Sequence, residues 1–199
     1  MDPKLSMDIQ QTLNSDIAMI LDSLIDINKE YDEQLNAINT TQQWANIARN
    51  YHTNNNQSLF GIVQGGKHKE LREKSATDMM TIDFDGYAIG GLAIGETPEE
   101  RKEIVNFTVE MLPKDKLRYV MGLGDIEGML ELIELGVDIF DCVWPARLAR
   151  HGKIINKGKF LNLKNDRFDV SVLQGTTGSG KTLVSVSYTH LTLPPTPYV

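Results

Sequence analysis

Between residues 1 and 145 the chain alternates short apolar runs with amphipathic stretches, and this alternation restricts its fold more than any other feature. Five runs read as strands: residues 16–21 (DIAMIL), 59–63 (LFGIV), 86–89 (GYAI), 118–121 (RYVM) and 137–140 (VDIF). Helical spacing of apolar residues fills the intervals, over 28–51, 67–80, 98–111 and 126–135. Two helix starts are marked by their chemistry. Thr97-Pro98-Glu99-Glu100 offers a capping hydroxyl, a first-turn proline and a capping-box glutamate, and Asp125 is placed to cap the next helix. Gly136 stands where a left-handed residue closes that helix. Apolar strands separated by helices predict an α/β chain with a parallel sheet.

The residues just past each strand narrow the choice. Asp22 comes after the first, Gln64-Gly65-Gly66 after the second, Gly90-Gly91 after the third, Gly122 and Gly124 after the fourth, and Asp141 after the fifth. Polar residues and glycines at every strand's C-terminal end describe the catalytic rim of a (β/α)₈ TIM barrel. A doubly wound sheet uses the same alternation and stays open as an alternative. A full barrel takes roughly 250 residues, whereas only about five βα units are legible here, so the expectation is an incomplete barrel.

Charge and cysteine content set the partners and the compartment. The net charge of −7 disfavours a protein that coats nucleic acid over a broadly basic face. The charge is unevenly spread, however. Residues 147–167 carry seven basic side chains (Arg147, Arg150, Lys153, Lys157, Lys159, Lys164 and Arg167) and one acid, Asp166. A basic run directly after a candidate active-site strand points to an anionic partner. One cysteine, Cys142, rules out an internal disulfide framework and fits a reducing, cytoplasmic setting. No apolar run reaches the roughly 20 residues a membrane helix needs, and the acidic start MDPKLSMDIQ does not read as an export signal. No membrane partner is expected.

Five segments in order (LNSDIAMILD, LFGIVQGG, DFDGYAIGGLAIGE, RYVMGLG and GVDIFDCVWPARLARHG) closely resemble the tRNA-guanine transglycosylase (queuine tRNA-ribosyltransferase) family, as does the downstream GKFLNLKNDRF. The resemblance covers about residues 1–168. It implies a zinc-containing barrel enzyme that exchanges the wobble guanine of certain tRNAs for queuine or its deazaguanine precursor, and a homodimer when full length. It assigns the nucleophilic carboxylate to Asp141, within FDCVWPAR, where spacing alone would favour a turn or capping aspartate; Asp138, inside the strand pattern, is the weaker candidate. Base exchange with retained configuration needs two displacements, and a carboxylate suits attack on an anomeric carbon with oxocarbenium character. By the same resemblance Asp22 and Gln64 meet the base with a carboxylate and an amide. The backbone at Gly90, Gly91 and Leu92 adds hydrogen bonds, glycine there allowing close approach to a flat ring. Met121 and Tyr119 become apolar walls of the pocket, Glu96 lies near it, and Arg147 and Arg150 grip the tRNA anticodon loop, where guanidinium groups suit phosphates and splayed bases.

The departures matter too. A second catalytic aspartate, in a DSGGFQ-like motif, is expected upstream of Met1. The zinc ligands, a CxCxxC cluster with a distant histidine, are expected beyond residue 168, so no metal site is expected within this chain. Ser23-Leu24 stands where many bacterial members carry Glu-Cys, and Trp144 and Ala146 vary the nucleophile loop. From residue 169 onward only Asp169 and Lys181 are charged, and Pro194, Pro195 and Pro197 crowd the end. Gly175 to Thr182 (GTTGSGKT) satisfies the phosphate-cradling P-loop pattern, with Gly180, Lys181 and Thr182 as its phosphate-binding residues and a helicase-type ATPase as its implied source. Only 17 residues follow Thr182, too few for the strand that would bring a magnesium-binding acid. The expected organisation is therefore a partial barrel over 1–168 and an unrelated, largely unstructured tail over 169–199, joined as a chimera. Two further readings stand beside the base-exchange enzyme: a P-loop ATPase fragment, and a non-catalytic tRNA-binding subunit. A truncated barrel is expected to have little activity alone, because open strand edges leave part of its apolar interior wet.

Overall fold

The computed structural model describes residues 1–92, 95–156 and 159–162. Its contacts divide the chain into two compact units, Met1–Asp141 and Cys142–Val199. The expected junction at residues 168 and 169 and the P-loop residues Gly180, Lys181 and Thr182 lie outside the described residues.

The first unit runs α1 (Pro3–Leu13), β1 (Ile17–Met19), α2 (Tyr31–Tyr51), β2 (Ser58–Val63), α3 (Lys69–Ile82), β3 (Gly86–Ile89), α4 (Pro98–Met111), β4 (Leu117–Val120), α5 (Ile126–Glu134) and β5 (Ile139–Phe140). All five strands are parallel, in the order β1-β2-β3-β4-β5. A doubly wound sheet reverses its strand order at a switch point, and there is no reversal here. Crossovers between sequential neighbours that share one hand bring the connecting helices α2 to α5 to the same face, and each of α1 to α4 packs against its successor. The unit is a curled, incomplete (β/α) barrel wall, as the strand ends predict.

The middle of the wall is apolar on both faces. Every residue of β3 and all of β2 after Ser58 are buried, whereas β1 and β5 at the edges are only partly covered. Phe60 lies across Gly86 on the neighbouring strand, where an added Cβ would stand 2.4 Å from the ring tip. Phe60, Phe84, Met79 and Ile89 are each almost fully buried and contribute about 1.5–3 kcal/mol apiece. On the β1 edge, Gln10 of α1 supplies hydrogen bonds a neighbouring strand would make: its Oε1 accepts from Met19 N–H at 2.8 Å and its Nε2 donates to Met19 carbonyl at 2.9 Å.

The expected helix starts hold. Thr97 and Glu100 form the reciprocal capping box on α4, Asp125 accepts from Gly128 N–H on α5, and Gly136 takes a φ of 95° beyond it. Helix α2 begins at Tyr31 rather than residue 28, because the Asp26 carboxylate accepts from Asn28 N–H at 2.8 Å and the Asp26 carbonyl from Lys29 N–H at 3.1 Å, closing a turn before the helix. Helix α1 is an addition to the expected elements; the cap that makes it is Asp2, whose carboxylate accepts from Lys4 and Leu5 N–H, with Pro3 in the first turn.

The second unit, within its described residues, holds α6 (Trp144–Arg150) and an antiparallel pair, β6 (Lys153–Asn156) and β7 (Lys159–Asn162).

Candidate active site at the strand ends

Register places the expected residues together. Ile62, Ala88, Tyr119 and Ile139 form one row across β2 to β5. Side chains alternate along a strand, so the next residues on that face are Gln64, Gly90, Met121 and Asp141. Four of the expected site residues therefore occupy one row at the C-terminal rim.

Two carboxylates anchor this rim differently. Asp22, half-buried just past β1, accepts a very short hydrogen bond at Oδ2 from the Gln64 side-chain amide. Burial raises its pKa from the usual 3.8, and the bond from Gln64 opposes that rise. Gln64 is itself fixed by its surroundings: its backbone N–H donates to Ser75 Oγ of α3 at 3.0 Å. An added Cβ at Gly90 would stand 2.8 Å from Gln64 Nε2, and one at Gly91 2.7 Å from Gln64 Oε1. Gly91 also takes a φ of 71°, so glycine is required there on two grounds. Leu92 is buried beside them.

Asp141, exposed past β5, has its Oδ1 held by two donors. Tyr119 Oη donates at 2.5 Å and Gly122 N–H at 2.7 Å. Its Oδ2 accepts no hydrogen bond among the described residues. Burial, and then the neighbouring Asp141 carboxylate, push the Tyr119 phenol well above its ordinary pKa, so it remains a donor wherever Asp141 is ionised. Tyr119 is thus more than the apolar wall expected of it: its ring packs against the core while its hydroxyl orients the candidate nucleophile. Met121 is half-buried against the same core. Asp138 is committed to structure, accepting from Arg118 N–H at 2.9 Å.

A residue that sequence reasoning misses lies beneath the rim. Arg72 of α3 is almost fully buried, and burial lowers its pKa to about 10, with the charge of Glu96 opposing the shift. Its signal is present in the pattern: Arg72 falls with Ser75, Ala76 and Met79 on the buried stripe of α3, where a cation is out of place.

In the second unit Arg147 and Arg150 are exposed, three residues apart in the last turn of α6. Lys153 is exposed at the start of β6, and Lys157 lies outside the described residues. Among the described residues no three of His, Cys, Asp or Glu converge to hold a metal, and Cys142 is the chain's one cysteine. The residues present do not fit the tetrahedral zinc site that the resemblance implies. No helix among them is long and apolar enough to cross a membrane.

The family model described as queuine tRNA-ribosyltransferase matches residues 1–176. Curated proteins of that name are similar over most of the chain. The one from Bacillus subtilis (strain 168) is 43% identical over 168 residues, covering 84% of this chain and 44% of the relative. The one from Thermotoga maritima is 46% identical over 164 residues, covering 82% and 44%. The Acinetobacter baylyi protein is 40% identical over 169 residues, covering 83% and 44%. The chain thus spans less than half the length of these relatives.

Proposed function

Because the chain belongs to the queuine tRNA-ribosyltransferase family, we propose that it supplies the base-binding and nucleophilic rim of an enzyme that exchanges a guanine in tRNA for queuine or its deazaguanine precursor. The observation that carries this is the state of Asp141: one oxygen is fixed by Tyr119 and Gly122, and the other accepts no hydrogen bond among the described residues.

The chemistry rests on that arrangement. Asp141 Oδ2 attacks the ribose C1′, a C1′–O bond forms, and the C1′–N9 bond breaks as guanine departs and takes up a proton. The incoming base gives up its N9 proton and attacks C1′ in turn, releasing the carboxylate, so the two inversions retain configuration. Tyr119 stays protonated and Gly122 N–H does not titrate, so both keep the carboxylate aimed through both steps. Asp22 and Gln64 read the base edge, and Gly90, Gly91 and Leu92 offer it main chain at close range. Arg147 and Arg150 contact the anticodon loop. Zinc would need ligands other than these residues. The full-length protein acts in the cytoplasm as a homodimer in this reading.

Labelled guanine incubated with tRNA and the full-length protein carrying this chain tests the proposal. Incorporation into tRNA, lost in Asp141→Asn, is expected. Absence of incorporation by the unsubstituted protein overturns it; covalent trapping of RNA that is lost in Asp141→Asn marks the enzyme, whereas a binding subunit would be indifferent to that substitution. Arg147→Ala should weaken tRNA binding and flatten its salt dependence, because each lost phosphate contact removes a released counterion.

A further inference from the structure

The buried guanidinium of Arg72 ties the two glycine turns of the rim to one point. Its Nε donates to the Gly66 carbonyl at 2.8 Å, in the turn after β2, and its Nη2 donates to the Gly90 carbonyl at 3.2 Å, in the turn after β3. Nη1 has no hydrogen-bond partner among the described residues, although the side chain is nearly inaccessible. Burying an arginine so deeply is costly, and a core position in α3 would be filled more favourably by an apolar side chain. The arrangement therefore does something that packing alone does not require.

Its geometric consequence lies at Gly91. The peptide bond between Gly90 and Gly91 is trans, as is every peptide bond among the described residues, so its carbonyl and N–H point in opposite directions. Holding the Gly90 carbonyl toward Arg72 directs the Gly91 N–H away from it. Neither glycine has a side chain to fix this plane, and the φ of 71° at Gly91 is one of several a glycine adopts freely. Arg72 also holds the far side of Gln64, because Gly66 ends the Gln64-Gly65-Gly66 turn that leads into α3.

We propose that Arg72 is a positioning residue for base recognition: by clamping the Gly66 and Gly90 carbonyls it sets the Gly90–Gly91 peptide plane and keeps Gln64 and the Gly91 N–H in register for the purine edge. This rests on the base-exchange reading above. The planar fork is what the role requires, since it reaches two carbonyls from two separate nitrogens, which a lysine ammonium does not reproduce.

The test is Arg72→Lys in the full-length protein, followed by guanine exchange kinetics and amide hydrogen exchange. We expect KM for guanine to rise about tenfold or more with kcat within about threefold, the pattern of lost binding rather than lost chemistry. Exchange at the Gly91 amide should accelerate while the interiors of β2 and β3 stay protected; a merely structural role would loosen all three together. Arg72→Gln, read in the same way, serves if the lysine variant does not fold. An active protein whose folded Arg72 variant keeps its guanine KM overturns this inference alone. Failure of the unsubstituted protein to exchange guanine overturns the base-exchange reading, and this inference with it.

Discussion

Asp22 and Asp141 are the same residue type at the ends of strands in one sheet, yet their surroundings differ, and the proposed reaction gives them opposite tasks. Asp22 is half-buried, its pKa raised by that burial, with a side-chain amide on the oxygen that is engaged. Asp141 is exposed, and a phenol and a backbone N–H converge on one of its oxygens. A carboxylate that must discriminate a flat base gains from a dry, crowded setting in which each hydrogen bond counts. A carboxylate that must attack carbon gains from an accessible lone pair and a fixed orientation. In the proposed reaction environment, not residue type, divides the labour.

The sharpest way to break this contrast is to neutralise the exposed carboxylate. Asp141→Asn keeps the shape and removes the proposed nucleophile, so incorporation of labelled guanine into tRNA should fall by about 10³-fold or more, roughly 4 kcal/mol in the barrier. Activity surviving this change would move the nucleophilic role elsewhere on the rim.

Next in size is Tyr119→Phe, which leaves Gly122 N–H as the one donor of the pair on Asp141 Oδ1. The expected loss is about 10- to 100-fold in kcat, or about 1.4–2.7 kcal/mol, with KM for guanine little changed. A change confined to KM would place Tyr119 with the base-reading half of the rim and blur the distinction.

The sequence makes the first half of this contrast legible and hides part of the second. Strand ends stand out because apolar runs stop abruptly at Asp22, Gln64, Gly90 and Asp141, and a parallel sheet brings such stops to one rim. The Tyr119 hydroxyl is hidden because an aromatic residue in a strand reads as core; only the register, pairing Tyr119 with Ile139 two residues before Asp141, sets the phenol beneath the carboxylate. Arg72 is hidden because a charged residue in a short amphipathic helix is assigned to solvent by default. Its partners are two glycine carbonyls, which no side-chain pattern announces. Helix α6 is hidden because seven residues are too few to show a helical period.

Gly91→Ala probes the base-reading side. The new methyl would face Gln64 Oε1 at 2.7 Å and force a non-glycine residue to a φ of 71°. We expect a stability loss of about 1–2 kcal/mol from the backbone term. A thermal melt of the chain measures it, and guanine affinity should fall along with it as the Gln64 amide is displaced. Asp141 stands clear of this contact, so kcat extrapolated to saturating guanine should change least.

The smallest effect is the most discriminating, because it concerns stability rather than turnover. The folded-state pKa of Asp22 lies above 3.8, so the folded chain binds this proton more tightly than the unfolded chain. The stabilisation from that proton is fully present below pH 3.8 and is lost as pH rises through the folded value, which leaves an ionised, half-buried carboxylate as a net cost at neutral pH. Asp22→Asn carries no charge at any pH, and its side-chain oxygen can still accept from Gln64. The variant should therefore melt slightly above the parent at pH 7, and the gap should close as pH falls through 3.8. A gap that widens toward acid would mean that Asp22 is stabilised in its charged form, as an exposed carboxylate with good donors would be. A gap that closes as expected means that the chain gives up stability at neutral pH to keep an ionised carboxylate half-buried at the rim, where the proposed reaction has a base read.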